Sequence, residues 1–423
     1  QFTLAYAEER AGSPADTLRE VARRVAEAGS VVGLWAMGVT QHHMGSDTST
    51  AISNLLLVTG NYGRPGTGAY PLRGHNNVQG CSDFGTISSY YPGYQPVADE
   101  EVRDKFARAW GCELPLEPGL DNHEMVDAAH DGSLRGLVII GEELSLVDAN
   151  VHYVQEAMER LDFVVVSELF FSRTCEFADV VLPAAASLEK DGTFTNTERR
   201  IQRLYEAMPP IGEARPDWRI LQDIAAHLGH EWGYAHPSEI MDEVASLTPM
   251  FAGVRYDRLE GYDSLQWPVA EDGTDTPLLY TEGFHFDDGK ARLYPLGFRE
   301  PTNQPDDEFP LHINNGRTLE HFHEGNLTLR SAGLTALVPD TYAEMNRRTA
   351  EEQGGLATGD WVRLISPHGE ITVRVLLSEE VADRQLWVPM QAAEINLLTS
   401  NEIDPDSHTP AYKEIAARLE RAD

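Results

Sequence analysis

Cysteine is almost absent from this chain: Cys81, Cys112 and Cys175 stand alone among 423 residues, and none belongs to a CxxC pair. That excludes a disulfide framework and any cysteine-rich zinc or iron–sulfur site built from these residues alone. Lysine is nearly missing too, with only Lys105, Lys190, Lys290 and Lys413 beside 29 arginines. Basic residues number 33 against 68 acidic ones, a formal net charge of −35 with neutral histidines. Such a surface repels phosphate backbones, which excludes nonspecific nucleic-acid binding. A solvated acidic surface is the favoured reading over an acidic partner-docking face. No uncharged apolar run approaches the roughly 20 residues that a bilayer-crossing helix needs, so no membrane span is expected. The first 30 residues carry no signal-peptide pattern. Neither HExxH nor a GxGxxG loop after a predicted strand is present, which argues against a zincin site and a nicotinamide dehydrogenase.

What is present is a 41% hydrophobic, 9% aromatic chain, able to bury a sizeable core in two to four compact units. Ser13-Pro14-Ala15-Asp16 reads as a helix start after a short lead-in, with Ser13 as cap and Pro14 in the first position. Leu18, Val21, Ala22 and Val25 form its face, and Gly29 stops it. Val31–Trp35 reads as a buried strand, followed by a helix through Ile52 and Leu56 that ends at Gly60. Asn61 to Gly93 is expected to be a long functional loop. Strands at Leu137–Ile140, Phe163–Val166 and Val180–Leu182, with a helix over Ala149–Arg160, predict a parallel sheet covered on both faces. Ligands in such sheets bind beyond the carboxyl ends of the strands. A helix is expected around Trp218–Leu228, and from Phe284 the pattern turns to β. Phe284–Leu296 is read as a hairpin through Asp288-Gly289. Trp361–Ile365 pairs with Glu370–Leu376, Leu386–Pro389 adds a strand, and the whole suggests a small barrel.

Four segments concentrate chemistry. Pro71-Leu72-Arg73-Gly74-His75-Asn76-Asn77-Val78-Gln79-Gly80-Cys81 offers a cation, an imidazole, several amides and close backbone approach. That suits a polar heterocycle or an anionic substrate, although an ornate turn explains it equally well. Gly141-Glu142-Glu143 ends a strand, where an acid can accept from a ribose diol or from guanine N–H groups, or simply begin a helix. Glu189–Arg200 mixes hydroxyls with Asp191-Gly192 and paired arginines and reads first as a structural clamp, second as a pyrophosphate site. In Gly316–His323, His321 and His323 share a face if extended, yet lack the partners of a zinc site. Cys175 is expected to be an inert core residue.

Taken in order, these motifs resemble the molybdopterin-dependent oxidoreductases, most closely the catalytic subunit of metal-dependent formate dehydrogenases. The likeness runs through Gly38-Val39-Thr40-Gln41-His42, Gly63-Arg64-Pro65-Gly66-Thr67-Gly68, the Arg73–Gly80 loop and Ala178-Asp179-Val180-Val181-Leu182-Pro183. It continues through Asp191–Asn196, Gly316–His321, Asn396-Leu397-Leu398-Thr399 and Pro410-Ala411-Tyr412-Lys413, covering essentially the whole chain. The resemblance implies two molybdopterin guanine dinucleotides (a bis-MGD cofactor) clasping one molybdenum or tungsten. It implies formate and CO2 as substrate and product, and iron–sulfur or flavin electron-transfer subunits as partners. By the same resemblance Arg73 holds the formate carboxylate beside the metal, and His75 lies against a pterin. Glu142, Ser167, Thr174 and Asp191 match positions that contact one guanine nucleotide, and Arg317, His321, Asn396 and Lys413 match the barrel face toward the pterins.

The family's 4Fe–4S cysteines and its metal-binding Cys or selenocysteine lie upstream of the Thr40-Gln41-His42 strand end, and Cys81 is not their substitute. No residue here is therefore assigned to the metal. The expectation is the C-terminal half or more of an acidic, cytoplasmic oxidoreductase subunit that needs its N-terminal half for turnover. A non-catalytic cofactor-binding scaffold and a sister enzyme such as a nitrate reductase are the alternatives. The expected fold is α/β, with incomplete dinucleotide-binding-like domains followed by a six-stranded, double-psi-like β-barrel. Residues 1–75 would end one α/β domain, 76–187 would form the guanine-nucleotide side, 188–283 would return toward the iron–sulfur end, and 284–423 would make the barrel.

Overall fold

The computed structural model describes residues 2–391 and 394–422. The lead-in is itself a helix, α1 (Leu4–Ala11), because Thr3 Oγ1 accepts from the Tyr6 amide and Gly12 closes it in the left-handed region. Helix α2 (Ala15–Glu27) then starts one residue later than expected. Pro14 is the cap, no side chain caps the helix, and Ala28 rather than Gly29 ends it. Strand β1 (Val32–Trp35) leads through the short α3 (Met37–Thr40) to α4 (Gly45–Val58). The stretch from 61 to 93 is not one loop. It carries β2 (Gly68–Pro71), α5 (Val78–Asp83) and β3 (Tyr90–Tyr91), elements too short to show an apolar period. β2 pairs in parallel with β1, and these two strands are the whole sheet. That is why β1 is not the buried strand expected: Val32 is 41% and Leu34 60% exposed, with helix α4 covering the other side only.

After β4 (Gln95–Pro96) and helices α6 (Glu100–Trp110) and α7 (Asn122–Asp131), the second α/β unit follows its predicted order. β5 (Gly136–Ile140), α8 (Leu144–Val147), α9 (Val151–Glu159), β6 (Phe163–Glu168) and β7 (Val180–Pro183) build a parallel three-stranded sheet, β5-β6-β7. Its inner face packs Ile139, Val164 and Val166 against Val126, Val154 and Met158 of α7 and α9, and Cys175 is an inert member of that core. The prediction of cover on both faces does not hold. Val138, Phe163 and Val180 point away from the helices and remain exposed, because no helix of the described residues lies over them. β8 (Gly192–Thr195) and β9 (Arg200–Leu204) form a hairpin joined by β10 (Ser264–Gln266), with α10 (Asp217–His227) and α11 (Pro237–Leu247) between.

The Phe284–Leu296 hairpin does not form. Phe284 and Gly289 close a single turn, and the chain beyond runs irregularly along α4, where Asn54 Nδ2 donates to Tyr294 O at 2.8 Å. The Asn54 side chain takes both backbone groups of Tyr294, which a hairpin would have paired across to the other strand. The barrel begins at β11 (Leu311–Gly316) and adds β12 (Tyr342–Met345), β13 (Trp361–Ile365), β14 (Glu370–Leu377), β15 (Gln385–Pro389) and β16 (Ile415–Arg421). It closes in the order β11-β15-β12-β14-β13-β16, so no strand edge is left open. The β13–β14 hairpin turns through residues 366–369 as predicted. Alternation is strict on β14, where Ile371, Val373 and Val375 point inward onto Leu364, Ile313 and Leu386. Val147 of α8 packs against this core, which fastens the three-stranded sheet to the barrel.

Candidate functional site

A cleft of about 470 Å³ is lined by Arg73, Gly74, His75, Asn76 and Asn77, by Thr195–Thr197 from the β8 end, and by Phe322 from the barrel. Local structure explains the convergence. Asn77 adopts a left-handed backbone (φ 62°), and its Oδ1 accepts from the Thr195 amide at 2.9 Å, tying the loop to the hairpin. Gly80 makes that possible, since a Cβ there would sit 2.2 Å from Asn77 Oδ1. The Arg73 amide donates to Thr197 Oγ1 at 3.0 Å, and its Nη2 donates to Ser82 Oγ at 2.8 Å. Among the described residues no carboxylate pairs with Arg73, so its charge is left for the cleft. Beneath the loop, Asp83 is fully buried and accepts from Gln79 Nε2, the Tyr94 hydroxyl and Trp267 Nε1 at 2.7 to 2.9 Å.

A second cleft, lined by Leu137–Ile140 and residues of α7 and α9, reaches Glu142 at the carboxyl end of β5. The two neighbouring acids there have different work. Glu143 is buried and structural: it accepts from the Arg173 and Thr174 amides, from Thr174 Oγ1 and from Ser145 Oγ at 2.8 to 2.9 Å. Thr174 is consumed in this lock. Glu142 makes no such bonds and opens to the cleft. Surrounding protein and the charges of Asp148, Glu324, Glu143 and Glu168 push its pKa up to about 7, so it can take or give a proton near neutrality. Ser167, at the end of β6, is buried with an unpartnered Oγ.

The barrel supplies the opposite wall. Arg317 and Thr318 follow β11, and Gln391 follows β15, so they leave the same end of two parallel strands. Gly316 allows that exit, because a Cβ would clash with the Trp387 indole at 2.3 Å. Arg317 Nε and Nη2, Thr318 Oγ1, Gln391 Oε1 and Asn396 Oδ1 are buried without partners among the described residues. Asn396 spends its Nδ2 on the Leu146 and Val147 carbonyls, which leaves the buried amide oxygen unpartnered. Burial lowers the Arg317 pKa, a cost that a bound anion would relieve. Lys413 Nζ donates to Asn315 O and Oδ1, and burial together with Arg317 brings it down to about 8. Tyr412, whose hydroxyl lies 3.4 Å from Asp148, is held far above its ordinary value by burial and by that carboxylate.

The structure thus gathers Arg73 and His75 in one cleft, while Glu142 and Ser167 stand at the carboxyl ends of β5 and β6, and Arg317, Asn396 and Lys413 belong to the barrel segment. Two further expected residues are committed elsewhere. Asp191 receives Arg203 Nη2 on both oxygens, at 2.9 and 2.8 Å. His321 is buried, with Nδ1 on Thr328 Oγ1 and Nε2 on the Val338 carbonyl. Reading by residue type weighed His323 only as a zinc ligand and missed Glu324, both of which sit beside His75, and it missed Gln41, whose buried Oε1 has no partner among the described residues. Gln41 stands inside the Thr40-Gln41-His42 motif, so a signal for it existed. A group of potential metal ligands does occur at Asp121, Glu124 and His408, but Asp121 and Glu124 form the capping box of α7.

Comparison with known proteins agrees with this geometry. Residues 20–227 match the molybdopterin oxidoreductase family, and 311–416 match the molydopterin dinucleotide binding domain. The chain is 56% identical over 422 residues to a Bacillus subtilis (strain 168) protein named "Probable oxidoreductase YjgC". It is 53% identical over 427 residues to a Staphylococcus aureus (strain USA300) protein named "Putative formate dehydrogenase". Each alignment takes in 99% of this chain but only 43% of the relative, so the chain spans less than half the length of these proteins. The acetylene hydratase of Pelobacter acetylenicus shares the fold, with a TM-score of 0.77 at 16% identity over 100% of this chain and 65% of that one. A molybdopterin dinucleotide is anionic and dense in hydrogen-bonding atoms. The unpartnered donors and acceptors of Ser167, Arg317, Thr318, Gln391 and Asn396 fit such a group. The chain belongs to the molybdopterin oxidoreductase family, and its closed barrel is the dinucleotide-binding domain.

Proposed function

We propose that this chain is part of a molybdenum- or tungsten-dependent formate dehydrogenase, in which Arg73 binds the substrate carboxylate. The observation that carries the reading is a guanidinium without a carboxylate partner in a 470 Å³ cleft, anchored on one side by Ser82. A planar cationic fork is suited to hold a carboxylate in a fixed orientation. When bound, the molybdopterin-held metal supplies a two-electron sink. The chain's own residues bind and orient: Arg73 the substrate, Glu142 and Ser167 a guanine nucleotide, and Arg317, Asn396 and Lys413 the pterins. A second nucleotide would complete the pair.

The exposed apolar faces of β1 and of β5-β6-β7 suit cover by the remaining length seen in the relatives. On that reading residues 1–75, 76–187 and 188–283 are segments of domains completed by upstream chain. The test uses the full-length protein loaded with cofactor. Formate should reduce a dye at its expense, and Arg73→Lys should lose about 10²-fold or more in turnover with metal content unchanged. Turnover near wild type in that variant would remove Arg73 from the substrate site.

A further inference from the structure

The turn between α3 and α4 meets the barrel at a buried carboxylate that lines neither cleft. Glu414 immediately precedes β16, and its Oε1 lies 3.0 Å from His42 Nδ1 and 3.0 Å from His43 Nδ1. The other nitrogen of each ring also faces an acceptor. His42 Nε2 stands 3.1 Å from the Gly38 carbonyl, and His43 Nε2 stands 3.0 Å from the Arg299 carbonyl. Burial alone would raise the Glu414 pKa, but its bonds to His42 and His43 bring it below its ordinary value, so it is ionised. Carbonyl and carboxylate oxygens only accept, and a neutral imidazole has a single N–H. With an acceptor at all four ring nitrogens, each ring needs two protons. His312 of β11 is the third imidazole near this carboxylate. Burial lowers its pKa, Glu414 opposes that and His42 adds to it, so His312 is neutral. Arg299 approaches by its carbonyl, and Asp404 is engaged further along by the Ser46 amide and hydroxyl at 3.1 and 2.7 Å. A spacing of 3.0 Å is that of N–H···O bonds. A metal ion instead needs its ligand atoms drawn together, and among the described residues only Asp121, Glu124 and His408 are so placed.

The neighbours of this group give it a consequence. Gln41 precedes His42, its carbonyl accepts from the Lys413 amide at 3.4 Å, and Lys413 precedes Glu414. We propose that His42, His43 and Glu414 are positioning residues: a clasp, closed by two imidazolium rings on one carboxylate, that fixes Gln41 of the turn against Lys413 of the barrel for the dinucleotide cofactor. The clasp rests on the family's cofactor and not on the formate reading. Removing a proton from either ring sets a lone pair against an acceptor. The folded chain thus holds protons that the unfolded chain releases, so the clasp is whole below the ordinary histidine value of about 6.5 and opens as pH rises above it.

The test uses the full-length, cofactor-loaded protein, and its first readout is proton occupancy. Exchange of the imidazole C2 hydrogen for deuterium, followed by peptide mass spectrometry across pH, reads the titration of each histidine. His42 and His43 should both titrate above about 6.5 in the wild type, and Glu414→Gln should lower both midpoints by about one unit or more. The second readout is cofactor retention. Metal lost during gel filtration should rise several-fold from about pH 6 to about pH 9 in the wild type, and Glu414→Gln should lose it at both. A wild-type midpoint at or below about 6.5 for either ring overturns the proposal with no variant needed, even if Glu414→Gln fails to fold. Midpoints that Glu414→Gln leaves in place overturn it as well, since a merely structural carboxylate would give that result. Retention that is flat across pH overturns the positioning role. Stoichiometric zinc in the wild type that His43→Gln lacks overturns the proton clasp in favour of a metal site.

Discussion

The barrel and the parallel sheets treat their apolar residues in opposite ways. In the barrel, Leu311, Ile313, Val362, Leu364, Val373, Leu386 and Val388 are all fully buried, and every strand is paired on both sides. In the α/β units, Leu34 is 60% exposed and Val138 and Phe163 are each 52% exposed, on sheets of two and three strands. Parallel sheets are ordinarily covered on both faces, and small open ones are marginal by themselves. The contrast teaches that closure makes the barrel self-sufficient, whereas the α/β units display surface suited to more chain. The Arg73 cleft lies at the seam, lined by the Arg73 loop and the β8 end on one side and by Phe322 of the barrel segment on the other.

Substitutions can break or sharpen this contrast. Leu364→Ala, deep in the barrel, should cost about 2–5 kcal/mol in denaturant unfolding, since it opens a cavity in a closed core. A loss under ~1 kcal/mol would mean the barrel is looser than its burial suggests. Lys413 tests the seam. Its folded pKa of about 8 lies below the ordinary lysine value near 10.4, so between those limits the unfolded chain holds a proton that the folded chain has released. Stability should therefore rise with pH across that window, by on the order of 3 kcal/mol in total. Lys413→Met should flatten the rise. If the wild-type midpoint falls instead, Lys413 is not buried as described.

Gly80→Ala forces Asn77 off the Thr195 amide and should cost about 1–3 kcal/mol, the range for overpacking. Hydrogen exchange should show the loosening confined to the Arg73 loop and the β8–β9 hairpin, with the barrel amides unchanged. Val138→Ala should have the smallest effect, within about 0.5 kcal/mol, because its side chain is half in solvent. The same substitution costing 2 kcal/mol or more in the full-length protein would indicate that this face is covered there.

Much of the layout was legible because local chemistry and tertiary role agree. The β13–β14 hairpin has alternating apolar residues flanking a Ser366-Pro367-His368-Gly369 turn, and it forms as predicted. The order of β5, α9, β6 and β7 was likewise plain from continuous apolar runs. Legibility failed where partners are distant. Phe284–Leu296 carries a hairpin pattern, but the backbone of Tyr294 bonds instead to the Asn54 side chain of α4. Glu142 and Glu143 are neighbours of identical type, and only the amides of Arg173 and Thr174 make one a lock and leave the other free.

From residue order alone came the absence of a cysteine cage, the parallel and barrel halves, and the concentration of polar chemistry at Arg73–Gly80 and Gly316–His323. These follow from composition, periodicity and turn residues, which act over a few positions. The folded chain alone decided that His75 meets His323, 248 positions away, that Arg317 is buried unpaired, and that two sheets keep a bare face. Burial and charge depend on what lies across a cleft, and no local pattern records that.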